Sequence, residues 1–581
     1  MTRINRDVIL AKLLAGEHPG EGLHLRGLDL SRQKLPDTPL QGVAFSECDL
    51  TRTNLSGSDL SGAALTMCSL SDSVLDRATL TGARLLGCGL ANSSLVEISL
   101  RDAVASGCRF RRCDMHGADL SGAKMPQCAL DGADMRKSTF DTTALDGSTL
   151  TDARFDGSTL SRTTFTGANV SGASFRDCTL KDVVFANADL RNCDFTGAEL
   201  HAVVFVRADL RGATLPAALR RCIFNQAVFG DATMAGLDLQ HADLGELDLS
   251  GMTFAGADLS WASFSGTALR GVNFSGCTLE AADFTGCDLT GAQFGGATLR
   301  YANFLQATLR GVDFSGLSLE AVNFREADMT AASFAATQFD KTVLAGANLT
   351  NCYFGDAWFD RAILDGATLT GADFDQARFK GVGLCDLDLR PHRLQGLSME
   401  SCDFSRSDMR GMTLDGCNFA CSTFTAAKLD DASLDSCDLR MAKFNAALLR
   451  NARLTHVTAK TATFDGADLT GADLRDSLLR GAMFATATAE GARFDASNLH
   501  DTVWSKANLR AASFRGCTLR FADFSNATIE LADFDGADLS QSDLHAVLDT
   551  GTRWGKANLA GAKRTHIARL NAQLYRPAGT Q

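Results

Sequence analysis

Cys48, Cys68, Cys88, Cys108 and Cys128 recur every twentieth residue, and thiols in series could ligate a metal ion or exchange as disulfides. Sixteen of the eighteen cysteines, however, lie two places before a large apolar residue, in a slot otherwise held mostly by small side chains. Cys385 and Cys421 alone fall outside it. No CxxC motif is matched by a second one, and the histidines are scattered over mostly outward positions, so no metal or cofactor site is expected. Cysteine in that slot reads as a small buried hydrophobe in a reducing compartment. The aspartates that precede the large residues could suggest paired catalytic carboxylates. They recur with the same period and face outward, so they read as a solvated ladder, partly balanced by Arg191, Arg211, Arg270 and Arg310. There is no nucleophile elbow, phosphate loop or ordered Ser/His/Asp set. No catalytic residue is assigned, and the chain reads as a non-enzyme.

The elements that place these residues follow one rule. From Phe254 to Leu299 a large apolar centre falls every fifth residue, Phe and Leu alternating. A small residue precedes nearly every centre by two; Met252 is the bulky exception. The series starts at Leu25, runs to Leu215, shifts by one after Pro216 to resume at Leu219, and holds to Leu544. It returns at Trp554 and Leu559 after one broken unit at Asp549. That is about 108 units, so the repeat overrides the several-domain expectation for 581 residues. The boundaries read as a helix and linker over 1–22, repeats in a first register over 23–215, repeats in a second register over 216–562, and a helix and tail over 563–581.

In an extended segment alternate side chains share a face, so a centre and the residue two before it point the same way. An odd spacing would flip the next centre outward unless a turn intervened. Ser-Gly, Thr-Gly and Asp-Gly after the centres supply that turn. Phe and Leu alternate with period ten and the cysteine series has period twenty, which together require four sides per coil. About 27 coils spaced roughly 4.8 Å apart would make a rod on the order of 130 Å long. The slip at Pro216 keeps the Phe/Leu phase, so it reads as one corner shortened by a residue, with a kink in a continuous rod.

Residues 5–15 read as a helix, with Asn5 as its N-cap, Val8, Ala11 and Leu14 on one face, and Gly16 and Pro19 as the stop. At the other end Ile567, Leu570 and Leu574 share a helical face before Pro577, amid Lys563, Arg564, Arg569 and Arg576. Both helices are expected to dock as caps on the open ends of the repeat. Units such as HGADL (116–120), ANADL (186–190), TGADL (470–474) and DGADL (535–539) resemble the pentapeptide-repeat family over about residues 23–562. The resemblance implies an all-β solenoid, a right-handed quadrilateral β-helix. It says little about function, because the family hosts diverse roles.

Function must show in the exceptions. Pro216 marks the slip. At 382–399 Leu387, His392 and Leu397 fill slots that are elsewhere mostly small, and a bulge at Pro391 is expected to turn His392 aside. Asp549 is expected in a loop. Among exposed aromatics, Trp261 and Tyr301 should lie on one edge two coils apart, and Tyr353 and Trp358 should point outward as candidate interface residues. The leading reading is a scaffold or adaptor binding protein partners in the cytoplasm; the overall layout resembles long bacterial members associated with contractile, type VI-like secretion clusters. A secreted effector is the second alternative. The first is a DNA mimic, as in the gyrase-protecting branch. Duplex DNA of roughly 130 Å carries about 76 charges, against a net −13 here from 69 acids and 56 bases, so direct nucleic-acid mimicry and binding both rank lower. No apolar run approaches the roughly 18–20 residues of a bilayer span. Denatured without reductant, the chain is expected to titrate eighteen free thiols; a reproducible shortfall of several would refute the packing role of cysteine.

Overall fold

The computed structural model describes residues 6–20, 22–230 and 233–574; Asn5, Arg576 and Pro577, assigned above to the helix ends and tail, lie outside these. The chain is a parallel β-solenoid flanked by two short helices, and it divides into two compact units, Met1–Asp283 and Phe284–Gln581.

The first unit opens with α1 (Arg6–Leu14). Ile9 and Leu13, one helical turn apart, are the buried pair, whereas Val8, Ala11 and Leu14 face solvent. The expected face is therefore corrected: the (i, i+4) pair Ile9 and Leu13 is the buried one, and Val8, Ala11 and Leu14 lie off that line. Five three-residue strands follow: β1 (His24–Arg26), β2 (Ala44–Ser46), β3 (Ala64–Thr66), β4 (Arg84–Leu86) and β5 (Val104–Ser106). They pair in parallel at a spacing of twenty, Phe45 lying between Leu25 and Leu65. A second sheet is formed by β6 (Thr139–Asp141), β7 (Thr159–Ser161), β8 (Thr179–Lys181), β9 (Glu199–His201) and β10 (Leu219–Arg220). In the second unit β11 (Gln338–Asp340), β12 (Trp358–Asp360), β13 (Arg378–Lys380) and β14 (Met399–Glu400) form a third sheet, and α2 (Ile567–Leu574) ends the described chain. The other sides carry single parallel bridges, again twenty apart, such as Asn54 with Val74 and Val74 with Ser94.

One five-residue unit shows why the sequence folds so. Leu55 N–H donates to the Val74 carbonyl at 2.7 Å, and Val74 N–H returns a bond to the Thr53 carbonyl at 3.0 Å. Thr53 N–H closes the corner on Leu50 O at 3.1 Å, with Arg52 at φ 60°. A positive φ in the third place of the turn marks a type II turn. It costs an L-residue roughly 1–2 kcal/mol, which is why glycine is frequent there, as at Gly62 and Gly117. Small polar residues in the slot two before a centre also bond across coils: Thr53 Oγ1 donates to Leu30 O at 2.8 Å.

The centres form columns of like on like, as four sides per coil demand. Phe155 lies over Phe175 with ring centroids 4.6 Å apart and planes 4° from parallel. Phe424, Phe444, Phe464, Phe484 and Trp504 continue one such column at 4.6, 4.9, 4.8 and 4.0 Å. At Pro216 the parallel pairing crosses the slip at a spacing of nineteen, Leu200 with Leu219 and Val204 with Ile223, and then returns to twenty at Ala218 with Asp238. The shortened corner buries Pro216 itself.

At the C-terminal end α2 is attached by polar contacts. His566 N–H donates to His545 Nδ1 at 3.2 Å, leaving Nε2 protonated to donate to Gln573 Oε1 at 3.2 Å. Trp554 and Leu559 in the last coil stay half-buried and Ile567 is exposed, so this helix is held at the rim and does not bury the final centres as expected. Phe464→Ala is expected to cost about 3–5 kcal/mol, read as faster amide exchange confined to the coils from 444 to 484; unchanged exchange there would refute the role of the ring column.

Candidate functional site

Departures from the lattice arise where a bulky side chain fills the small slot. Asn348 pairs with Thr368, Tyr353 with Asp373, and Asp388 with Asp408, but among the described residues Thr368–Asp388 and Asp373–Arg393 are unpaired. Leu387 and His392 occupy the slots at this gap. His392 is not turned aside by a bulge at Pro391. Its ring is half-buried between the coils, edge-on to Phe374 with centroids 5.7 Å apart, and Nδ1 lies 3.2 Å from the Ala372 carbonyl. That carbonyl would otherwise receive the Arg393 N–H, so the imidazole takes over one ladder bond while forcing the coils apart. Its size prevents both the bulge and the normal ladder. The seam encloses a cavity of about 340 Å³ lined by Ala372, Asp373, Phe374, Pro391, His392 and Arg393. Phe374 is 7 % exposed, whereas Phe354 one coil below is 0 %.

Because Nδ1 faces a carbonyl it must carry the proton, so Nε2 presents a lone pair; it is buried and has no hydrogen-bond partner. Burial holds the imidazole below its ordinary pKa, opposed by the Ala372 carbonyl and by Asp388. A second seam lies in the first unit, where Leu247 and Met252 fill small slots above Ala227 and Phe229, with a cavity of about 420 Å³.

The aromatic candidates are all exposed. Trp261, in the first unit, stacks on His241 with centroids 6.0 Å apart. Tyr301, in the second, receives a 2.9 Å hydrogen bond from Arg300, which also pairs with Glu320 at 3.1 Å. Both occupy left-handed turn positions, φ 62° and 61°. Tyr353 folds over Gly355, where a Cβ would collide with its ring, and Trp358 lies in β12 between Gln338 and Arg378. Tyr353 and Asp373 are paired neighbours, which puts Tyr353 on the same face one coil below the His392 cavity. Asp549 is not in a loop. Thr552 N–H closes an ordinary turn on its carbonyl at 3.1 Å, and its carboxylate is exposed because its coil is the last one.

The potential reactive groups are held in structural roles. Cys113 and Cys178 are pushed up to about 12 by burial, which suppresses their thiolates. Asp189 accepts the backbone N–H of Arg191 at 3.1 Å and two guanidinium bonds, and those bonds hold its carboxyl below the usual range against partial burial.

Sequence comparison agrees with this lattice. A model of the pentapeptide repeat region matches residues 138–215 and 217–294, and one of pentapeptide repeats matches segments within 53–152, 277–381, 402–440 and 442–545. The chain belongs to the pentapeptide-repeat family. Solved pentapeptide-repeat structures similar to it include HetL, involved in heterocyst differentiation regulation in Nostoc sp. strain PCC 7120 (22 % identity, 52 % of this chain and 97 % of that one, TM-score 0.19). Another is full-length QnrB1, a plasmid-mediated fluoroquinolone resistance protein (17 % identity, 38 % and 92 %, TM-score 0.21). A third is a protein of the Arabidopsis thaliana thylakoid lumen (35 % identity, 18 % and 66 %, TM-score 0.09). A search of curated protein sequences returned no significant match.

The same lattice exposes Met441, Leu478, Met483 and Phe521, none of which is among the Trp and Tyr candidates. The signal was available by reading every twentieth residue as a column. At the seam, the depressed His392 pKa sets the sign of its pH dependence. Its contribution to stability is present above the unfolded imidazole value of about 6.5 and is lost as pH falls through the lower folded value. Amide exchange of the 367–398 coils is expected to accelerate on acidification below about pH 6.5, and His392→Ala is expected to abolish that change; an identical acid response in the variant would refute it.

Proposed function

We propose that this pentapeptide-repeat protein is a non-enzymatic scaffold that binds protein partners along its outer faces. The observation that carries this reading is the division of labour within each unit. Phe, Leu and small residues fill the interior, while the aspartates bond turn N–H groups or pair with arginines on the surface, as Asp209 does with Arg211 at 2.6 Å. Such a surface is a regular, rigid display of side chains, and exposed aromatics on it are the usual anchors of an interface. Candidate contact residues are Trp261 in the first unit and Tyr301, Tyr353 and Trp358 in the second, with the irregular coils at Pro216, Pro391–His392 and Asp549 as further places where a partner could distinguish this chain from a uniform lattice.

The finer reading is a role in a bacterial type VI-like secretion system, including effector loading, drawn from the overall layout and length of the chain. A DNA-mimic role is less favoured, because arginines such as Arg191, Arg211, Arg390 and Arg410 neutralise the aspartates of the same ladders. Among the described residues no helix is long and apolar enough to cross a membrane.

Affinity purification from the native cell is expected to recover a stoichiometric protein partner, and Tyr353→Ala with Trp358→Ala is expected to weaken its capture several-fold without changing the circular dichroism spectrum. Repeated recovery of no partner at physiological salt would sink the scaffold reading; potent inhibition of gyrase supercoiling would replace it with the DNA-mimic one.

A further inference from the structure

We propose that one corner of the second unit, from Arg440 to Phe521, is a docking strip for an acidic, apolar-containing polypeptide segment; this deepens the scaffold reading by naming a surface and the chemistry of its partner. Arg440, Lys460, Arg480, His500 and Arg520 follow one another at the same corner position, one per coil. The backbone bonds establish the file directly. Met441 N–H donates to Lys460 O at 3.0 Å, Thr461 to Arg480 O at 3.0 Å, Gly481 to His500 O at 2.8 Å, and Asp501 to Arg520 O at 3.0 Å. Four steps of about 4.8 Å make a line of bases about 19 Å long.

Like charges placed directly opposite each other in adjacent strands oppose folding. Elsewhere on this corner the sign varies: Arg300 pairs with Glu320 at 3.1 Å one coil later, and the acids Asp340 and Asp360 follow. Over 440–520 it does not. Arg440 is paired with Asp438 at 2.5 Å, Arg480 with Asp501 at 3.5 Å, and His500 lies 2.6 Å from the same Asp501. Lys460 and Arg520 form no ion pair among the described residues, and Arg520 lies instead 5.9 Å over the Phe521 ring. Lys443, on the next face, adds another exposed cation.

The exposed apolar residues lie along the same line. Leu478 is on one flank, in the bridged series Thr458, Leu478, Asn498 and Thr518; Met483 is on the other, in the series Lys443, Thr463, Met483 and Val503. Met441 and Phe521 adjoin the two ends of the basic file. Cations and apolar side chains therefore alternate across a strip one corner wide.

The width selects the occupant. Asp438 and Asp538 border one flank and Asp523 the other, so a broad polyanion such as a duplex or an anionic bilayer would press against carboxylates as well as bases. Asp438 and Asp501 are taken up by Arg440, Arg480 and His500, so a single chain contacts Lys460 and Arg520, the cations without an ion pair among the described residues. Its carboxylates can reach these cations and its apolar groups Met441, Leu478, Met483 and Phe521.

The test is fluorescence anisotropy of the full chain with a labelled peptide of alternating Glu and Leu, beside a matching Lys–Leu peptide and a single-stranded oligonucleotide. At about 0.15 M salt the Glu–Leu peptide alone is expected to bind. Combined Lys460→Glu, Arg480→Glu and Arg520→Glu is expected to weaken it at least tenfold, and Met441→Ser with Phe521→Ser several-fold, all with unchanged circular dichroism. Absence of peptide binding, equal binding by the charge-reversed chain, or tighter binding of the oligonucleotide would each overturn the proposal. Capture of a native partner undiminished by charge reversal would overturn the strip and leave the scaffold standing, whereas failure of the wild-type chain to capture any partner would remove the scaffold reading itself.

Discussion

Outside the seams, the residue before a centre donates its N–H to a carbonyl one coil below, and the structure depends on how closely that bond draws the coils together. Val74 to Thr53 O at 3.0 Å and Phe-over-Phe spacing of 4.6 Å at Phe155 and Phe175 are two views of one distance. The carbonyl that accepts belongs to the inward slot residue, and even Leu387 O accepts from Asp408 N–H at 2.8 Å; at the seam the bonds lost are those from Asp388 and Arg393 to the coil below. Ala, Ser, Thr, Val and Cys fit, and Ser and Thr add a second bond of their own, as Ser58 Oγ does to Leu35 O at 2.8 Å. Leu247, Met252, Leu387 and His392 do not fit as easily, and coils open beside them. Ile98 fills a slot with the pairing intact on both sides, whereas neighbouring bulky slots at 247 and 252 and at 387 and 392 accompany a local cavity.

The same constraint explains the chemistry of the surface and its quietness inside. With coils this close, the interior has room only for the columns of centres and the small slots between them. Buried thiols such as Cys113 and Cys178 are pushed up to about 12 by desolvation and behave as small apolar fillers. Ionisable groups remain outside, where aspartates satisfy turn N–H groups that the corner would otherwise leave open, and arginines brace the aspartates. Those exposed pairs add little stability individually. Along one corner position of the second unit the sign changes in blocks, with acids at Glu320, Asp340 and Asp360 and bases from Arg440 to Arg520.

Period, side count and slot occupancy were all legible in the sequence, because each is a local rule repeated often enough to be read without coordinates. Phe alternating with Leu and the cysteines at intervals of twenty determined four sides and placed nearly every buried residue. The one-residue shift at Pro216 was equally legible, and the pairing of Leu200 with Leu219 gives it a spacing of nineteen. The ends were less so. A short helix offers several apolar combinations, and only tertiary packing selected Ile9 with Leu13 over Val8, Ala11 and Leu14. Asp549 looked like a break because its type did not match a centre; its backbone still follows the turn, since hydrogen bonds to the coil below do not require an apolar side chain.

By itself, then, the sequence determined the repeat, the four-sided solenoid and the packing role of its cysteines, since these follow from spacing and side-chain size alone. Only the tertiary structure decided where the lattice opens and which surface residues become neighbours. His392 could either swing out or wedge inward, and the choice turned on an acceptor, the Ala372 carbonyl, twenty residues away. Lys460 and Arg480 are likewise distant in the chain and adjacent on the surface. Stacking turns a separation of twenty residues into one coil spacing, and that conversion makes sites out of residues that are unremarkable in sequence.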